Sequence, residues 1–294
     1  MNTRYDRMFA RLSARGEGAF IPFLTLGDPD LATSARLLAA LLAARADALE
    51  LGLPFSDPVA DGPVIQASAR RALASGTRVA DCLALIATVR RAAPELPIGL
   101  LVYANLVVRR GVGTFYREAA QAGVDSVLIA DVPLAEADRF GEAAAAAGVA
   151  AVLIAPPNAS PSQLARIGRQ SRGYTYVTAR DGVTGDDRAP AADLRARLAT
   201  LRQARAAPSV VGFGISTADQ VRSALAAGAR GVIAGSALIR RIEAQLDQPD
   251  RLVADVEAFA TELKAATRGG HSTSERDAYL EHVGIVSGSR SADY

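Results

Sequence analysis

Short runs with apolar residues on both alternating positions alternate along the chain with longer runs in which apolar residues recur at helical spacing. The short runs fall at residues 19–24, 47–51, 98–103, 126–130, 149–154, 174–178, 209–213 and 231–234. A strand that is apolar at both odd and even positions meets water on neither side, so these runs predict a parallel sheet covered on both faces. Between them, residues 31–44, 135–147, 161–170 and 217–227 have helical length and are rich in Ala, Leu and Arg. Ser160-Pro161 and Ser216-Thr217 set a hydroxyl just before a helix, and Gly123, Gly148 and Gly228 stand where helices end. Eight strand–helix repeats in about 250 residues predict a single closed (β/α)8 TIM barrel. An open doubly wound sheet, the structural runner-up, would carry an early GxGxxG turn, and none is found. A helix is expected ahead of the first strand. Residues 268–294, rich in Gly, Ser and charge, are expected to form a flexible tail beyond a 1–267 catalytic domain.

Composition narrows the function. The 33 basic and 31 acidic side chains leave a net charge of +2, no basis for binding nucleic acid or a membrane surface. No apolar run approaches the roughly 20 residues that span a bilayer, and the start lacks a signal segment, so a cytoplasmic location is expected. One cysteine, Cys82, cannot form an intrachain disulfide and reads as a small core residue. With only two histidines besides, a His/Cys zinc site is not expected.

Glu50 interrupts an otherwise apolar strand, Ala48-Leu49-Glu50-Leu51-Gly52. A buried carboxylate must be partnered, protonated or turned into a polar site. It is either a structural Glu or, as its place at the strand's C-terminal end favours, part of a site. The loop that follows, residues 54–63, holds three prolines and a glycine and offers Asp57 and Asp61. Two carboxylates in different surroundings can divide acid and base work, although either Asp could instead cap a helix or close an Asx turn. The strand-2 and strand-6 loops are enlarged, which is where a substrate lid is expected.

Glycine-bearing loops follow the last three strands: Gly182-Val183-Thr184-Gly185, Gly212-Phe213-Gly214 and Gly235-Ser236. Small residues let backbone N–H groups approach a phosphate, and Gly235-Ser236 opens a helix whose dipole favours an anion. The alternative is a set of ordinary tight turns. No P-loop lysine motif occurs, which points away from nucleoside triphosphate hydrolysis.

Taken in order, these segments resemble the tryptophan synthase alpha chain family. The likeness runs from about residue 3 to 266 through residues 18–29, 47–63, Tyr103-Ala104-Asn105-Leu106, Asp131-Val132-Pro133, Pro156-Pro157-Asn158 and Gly173-Tyr174-Thr175-Tyr176, then the glycine loops. The resemblance implies retro-aldol cleavage of indole-3-glycerol phosphate to indole and glyceraldehyde 3-phosphate, a lyase step of tryptophan biosynthesis. It implies Glu50 as general acid/base, Asp61 as the carboxylate holding the indole N–H, and Tyr176 beside the glycerol. Phe23, Leu101, Leu128 and Phe213 would contact the indole ring. Thr184, Gly185, Gly214, Gly235 and Ser236 would hold the phosphate end. It implies no cofactor in this chain, and a β-subunit partner carrying pyridoxal phosphate in an α2β2 tetramer. The loop after Asp61, Asn105 and Asp131-Val132-Pro133 would face that partner.

Some positions depart from the family pattern. Arg45 stands where the helix-ending turn usually has glycine, at a cost of about 1 kcal/mol if the turn stays left-handed. Val64 and Ser68 are altered beside the strand-2 loop. Asp181 lies in the strand-6 loop, where it would repel a phosphate unless Arg180 or Arg188 neutralises it. His271 and His282 are expected to be solvated. Alternatives are a stand-alone lyase releasing free indole, a non-catalytic phosphate-binding regulatory subunit, and another phosphate-binding barrel such as a phosphoribosyl isomerase, which would lack the Glu50-to-Asp61 stretch.

Overall fold

The computed structural model of the chain describes residues 3–178, 191–212 and 214–269. Eight parallel strands close into a barrel in chain order. They are β1 (Ala19–Thr25), β2 (Leu49–Gly52), β3 (Ile98–Val102), β4 (Ser126–Ile129), β5 (Ala150–Ala155), β6 (Thr175–Thr178), β7 (Ser209–Gly212) and β8 (Gly231–Ala234). Twelve α-helices accompany them among the described residues: α1 (Arg4–Ala14), α2 (Leu31–Ala43), α3 (Pro63–Ala74), α4 (Val79–Ala92), α5 (Ala104–Arg110), α6 (Val112–Ala122), α7 (Ala137–Ala146), α8 (Pro161–Gln170), α9 (Ala191–Gln203), α10 (Ala218–Ala226), α11 (Ser236–Glu243) and α12 (Pro249–Ala265). No single helix among the described residues is long and apolar enough to cross a membrane.

Each of the eight expected strands forms within a residue or two of its predicted bounds. The cap chemistry also acts as expected: Ser160 and Thr217 accept from backbone N–H groups of α8 and α10, and Gly123, Gly148 and Gly228 take left-handed backbone. The helix expected over 135–147 is shorter at its start. Pro133 holds an extended backbone, and Leu134–Glu136 forms a 3-10 turn before α7 begins. The enlarged interval after β2 contains α3. Of the expected tail, residues 270–294, with His271 and His282, lie outside the described residues.

Alternation along the strands divides the apolar residues into two cores. Leu49, Leu51, Leu100, Val127 and Val211 face outward onto the helices. Ile21, Phe23, Ala48, Leu128, Val152, Tyr176, Val210 and Ile233 fill the interior. Cys82 is buried in the outer core. Helix α1 lays Tyr5, Met8, Phe9 and Leu12 against the interior cluster, each buried side chain contributing about 2 kcal/mol. The Tyr5 hydroxyl bonds Ser126 Oγ at 2.9 Å, at the first residue of β4, so α1 closes the N-terminal mouth of the barrel.

At this same end a buried ion pair ties the last helix to the first strands. Lys264 of α12 bonds Asp47 at 2.8 Å, and Asp47 accepts the backbone N–H of Phe20 at 2.9 Å. Lys264 also reaches Glu17 at 3.3 Å. The opposite, C-terminal mouth is left to the loops.

Arg45 follows α2 with φ 60°, the left-handed conformation that glycine adopts without a Cβ penalty. Arg45→Gly is therefore expected to stabilise the fold by about 1 kcal/mol, raising the melting temperature by roughly 2 °C. Calorimetry of the two proteins checks this, and an unchanged or lowered transition would contradict it.

Candidate active site

Glu50 sits on the interior face of β2, between Leu49 and Leu51, which point outward. Its neighbours across the ladder are Phe23 and Gly99. Only 1% of the residue is exposed. Tyr174 donates its hydroxyl hydrogen to Glu50 Oε1 at 2.5 Å. Oε2 has no hydrogen-bond partner among the described residues. Loss of hydration pushes the carboxyl up from 4.5 to about 7; the Tyr174 hydrogen bond pulls it back, and the charge of Asp61 adds to the rise.

Tyr174 carries no assigned role in the sequence reading, yet it is the side chain that holds Glu50. The signal was present in the two-residue period of strands. Tyr174, just before β6, and Tyr176 within it share parity, so both point into the barrel if the extended backbone starts at Tyr174. The Tyr174 ring also packs on Tyr5, with centroids 5.4 Å apart. A continuous column thus runs from the α1 plug through Tyr174 to Glu50.

The loop after β2 is held by Tyr103, at the end of β3. Its ring stacks on Phe55 at 5.3 Å, and its oxygen accepts the N–H of Ala60 at 3.2 Å. The same phenol lines a small void together with Asp61 and lowers the pKa of its carboxyl. Burial raises that carboxyl from 3.8 to about 6, against the lowering effect of Tyr103. The structure separates the two aspartates that residue chemistry alone left even and of which the resemblance chose Asp61. Asp57 is exposed and accepts from neighbouring Ser56 at 2.5 Å, whereas Asp61 acts electrostatically on both Glu50 and Tyr176.

Three of the expected apolar contacts gather here. Phe23 and Leu128 belong to the interior cluster, with Leu101 packed against it. Phe23, Leu101 and Asp61 line one small void of 10 Å³, about the space of a single water. Tyr176 lies buried beside Gly212, where a Cβ would stand 2.1 Å from its hydroxyl, so the end of β7 must be glycine for that ring to fit. Burial keeps the Tyr176 phenol protonated, as do the charges of Glu50 and Asp61.

The expected phosphate end is partly described. Gly214 takes φ 87° after β7. Ser236 begins α11, and Gly235 precedes it without any side-chain cap. The N-terminus of α10 differs, because Gln220 Oε1 accepts from the N–H groups of Ser216 and Thr217. Of the two neighbouring helix ends, α11 is the one whose first-turn N–H groups face no capping side chain and can receive an anion. Thr184, Gly185 and Phe213 lie outside the described residues, as do Arg180, Asp181 and Arg188. No group of three His, Cys, Asp or Glu side chains among the described residues could hold a metal ion.

Comparisons with known proteins agree with this geometry. A family model described as tryptophan synthase alpha chain matches residues 9–268. Tryptophan synthase alpha chains of Edwardsiella ictaluri and Pectobacterium atrosepticum are 52% and 50% identical, each aligning over 90% of this chain and 99% of its own length. The tryptophan synthase subunit alpha of Legionella pneumophila superposes with a TM-score of 0.81 at 30% identity, over 90% of this chain and 98% of that one. A chain of the tryptophan synthase complex of Pyrococcus furiosus gives 0.75 at 33% identity, over 84% and 98%. With an interior carboxylate, a second carboxylate beside Tyr103 and a matching family model across most of its length, the chain belongs to the tryptophan synthase alpha chain family.

Proposed function

We propose that the chain is a lyase that cleaves indole-3-glycerol phosphate to indole and glyceraldehyde 3-phosphate. The observation that carries this reading is a buried Glu50 whose Oε1 is fixed by Tyr174 and whose Oε2 is unengaged. With its carboxyl near 7, Glu50 is present in both protonated and ionised forms at neutral pH, and Oε2, which no protein group engages, is free to carry the proton. Asp61, near 6, is by then mostly ionised. Burial raises both carboxyls, Glu50 to the higher value, and that order assigns the acid role to Glu50 and the anion role to Asp61.

The chemistry uses both. Protonated Glu50 delivers its proton to C3 of the indole ring, and ionised Asp61 accepts the ring N–H and stabilises the positive charge that develops there. The bond between C3 and the glycerol carbon then breaks, its electron pair returning to the ring. The glycerol hydroxyl becomes the aldehyde of glyceraldehyde 3-phosphate and yields its proton to the Glu50 carboxylate, which restores the acid. Phe23, Leu101, Leu128 and Phe213 would enclose the ring, Tyr176 would meet the glycerol, and Thr184, Gly185, Gly214, Gly235 and Ser236 would hold the phosphate. No step requires a metal or organic cofactor in this chain.

A β subunit carrying pyridoxal phosphate is the expected partner, in an α2β2 assembly. Exposed Val59 on the loop after β2 and Val108 on α5 support this, since Asn105 lies on the same helix as Val108 and Asp131 in the turn after β4 bonds the start of that helix. An apolar residue 78% exposed, as Val59 is, suits a surface that becomes covered.

Three measurements test the reading. Glu50→Gln should lower kcat by roughly 10²- to 10⁴-fold while leaving phosphate-ligand binding intact, and retained turnover would remove Glu50 from its role. Tyr174→Phe deletes a hydrogen bond that favours the carboxylate, so the Glu50 carboxyl moves up from about 7. The alkaline fall in kcat/KM should then shift to higher pH, and an unmoved or lowered midpoint would contradict the assignment. Indole release should be slow from the chain alone and rise with a heterologous β subunit. Fast release unaffected by partner would instead identify a free-standing lyase.

A further inference from the structure

The geometry points to a second small-molecule site, outside the barrel and away from Glu50, for an uncharged flat aromatic carrying one hydroxyl or ring N–H. A cavity of 380 Å³ lies between β4 and β5 and the helices α6, α7 and α8. That volume is within the range of sites that bind small ligands. Ile129 and Leu153 line it from the strands, Phe140 from α7 and Ile167 from α8, and none of the lining residues carries a charge. A charged ligand would lose its hydration there without a counter-ion, whereas an uncharged ring would bury apolar surface.

Two observations make this more than a packing gap. Tyr116 of α6 lines the cavity and is 1% exposed. Its hydroxyl makes no hydrogen bond among the described residues, and burial alone pushes the phenol upward. That oxygen is not one of the sealed unsatisfied atoms, so it opens onto the cavity, where the hydroxyl or ring N–H of a ligand can meet it. Gly141 is the second observation. It lies inside α7, where glycine costs about 1 kcal/mol relative to alanine. Its backbone is not left-handed, and a Cβ placed on it would meet nothing within 4 Å. Neither conformation nor close packing requires glycine there; its effect is to keep the wall of the cavity open.

Gln163 stands exposed at the mouth, its Oε1 already occupied by the N–H of Ser160 at 2.8 Å. Its amide N–H groups supply one polar contact at the entrance, as Tyr116 does at the buried wall. The mouth is framed by Val132, Pro133 and Pro156. These belong to the turns after β4 and β5, which lie at the same end of the barrel as the catalytic loops.

The test uses 2-naphthol, whose fluorescence is easily followed because the chain contains no tryptophan. Titration of the full chain should show saturable binding. Gly141→Leu, which fills the cavity with a better helix former, should weaken it by about tenfold or more, with the melting temperature retained. Tyr116→Phe, which removes only the hydroxyl, should weaken it by about fivefold. Equal binding by the wild-type protein and Gly141→Leu would place the probe elsewhere and overturn the proposal. So would the absence of saturable binding up to the solubility limit of the probe. Because neither variant touches Glu50 or Asp61, indole release in both should stay at the wild-type rate, which separates this result from any failure of the lyase reading.

Discussion

The structure depends on the dehydration of one carboxyl group. Glu50 lies inside a closed barrel with apolar residues on either side in its strand, and water reaches almost none of it. An ionised carboxylate in such a place is costly, so the proton stays on to near neutrality. Tyr174 prevents the shift from going further by stabilising the charged form through Oε1. The balance between a desolvating barrel and one phenol hydrogen bond sets the acid strength. The α1 plug shares in this balance, because Tyr5 supports the Tyr174 ring from the sealed end.

Around that carboxyl, the fold uses small residues to make room and aromatic ones to hold position. Gly99 lies beside Glu50 in the ladder, and Gly212 leaves the space into which Tyr176 turns. Tyr103 holds the loop that carries Asp61 by accepting the N–H of Ala60, and it lowers the pKa of the Asp61 carboxyl as Tyr174 lowers that of Glu50. The second carboxyl is therefore placed by a stacked pair of rings, Phe55 and Tyr103, rather than by a strand.

Much of this was legible in the chain because it follows from periodicity. The eight runs, apolar on both alternating positions, read as strands covered on both faces, and Glu50 was conspicuous as a charge set between two leucines of such a run. The glycine-bearing turns after β7 and β8 were visible for the same local reason. Contacts between residues distant in sequence were not visible. Tyr174 meets Glu50 across 124 positions, and nothing near either residue announces the other. Asp57 and Asp61 look alike in sequence, and only the place of Tyr103 distinguishes them. Ser68 departs from the family pattern without visible purpose until its hydroxyl is found on buried Asp28, at 2.6 Å, beside Arg71. Arg45 was the reverse case, where a local rule foretold the left-handed turn that the structure contains.

The central claim is that Glu50 keeps its proton to near neutral pH. Carbon-13 NMR of the full chain labelled at glutamate side-chain carboxyls measures this directly, with the Glu50→Gln protein identifying the resonance. The account predicts one buried carboxyl that titrates with a midpoint near 7. A Glu50 resonance already ionised at pH 5, with a midpoint near the ordinary value of about 4.3, would contradict it.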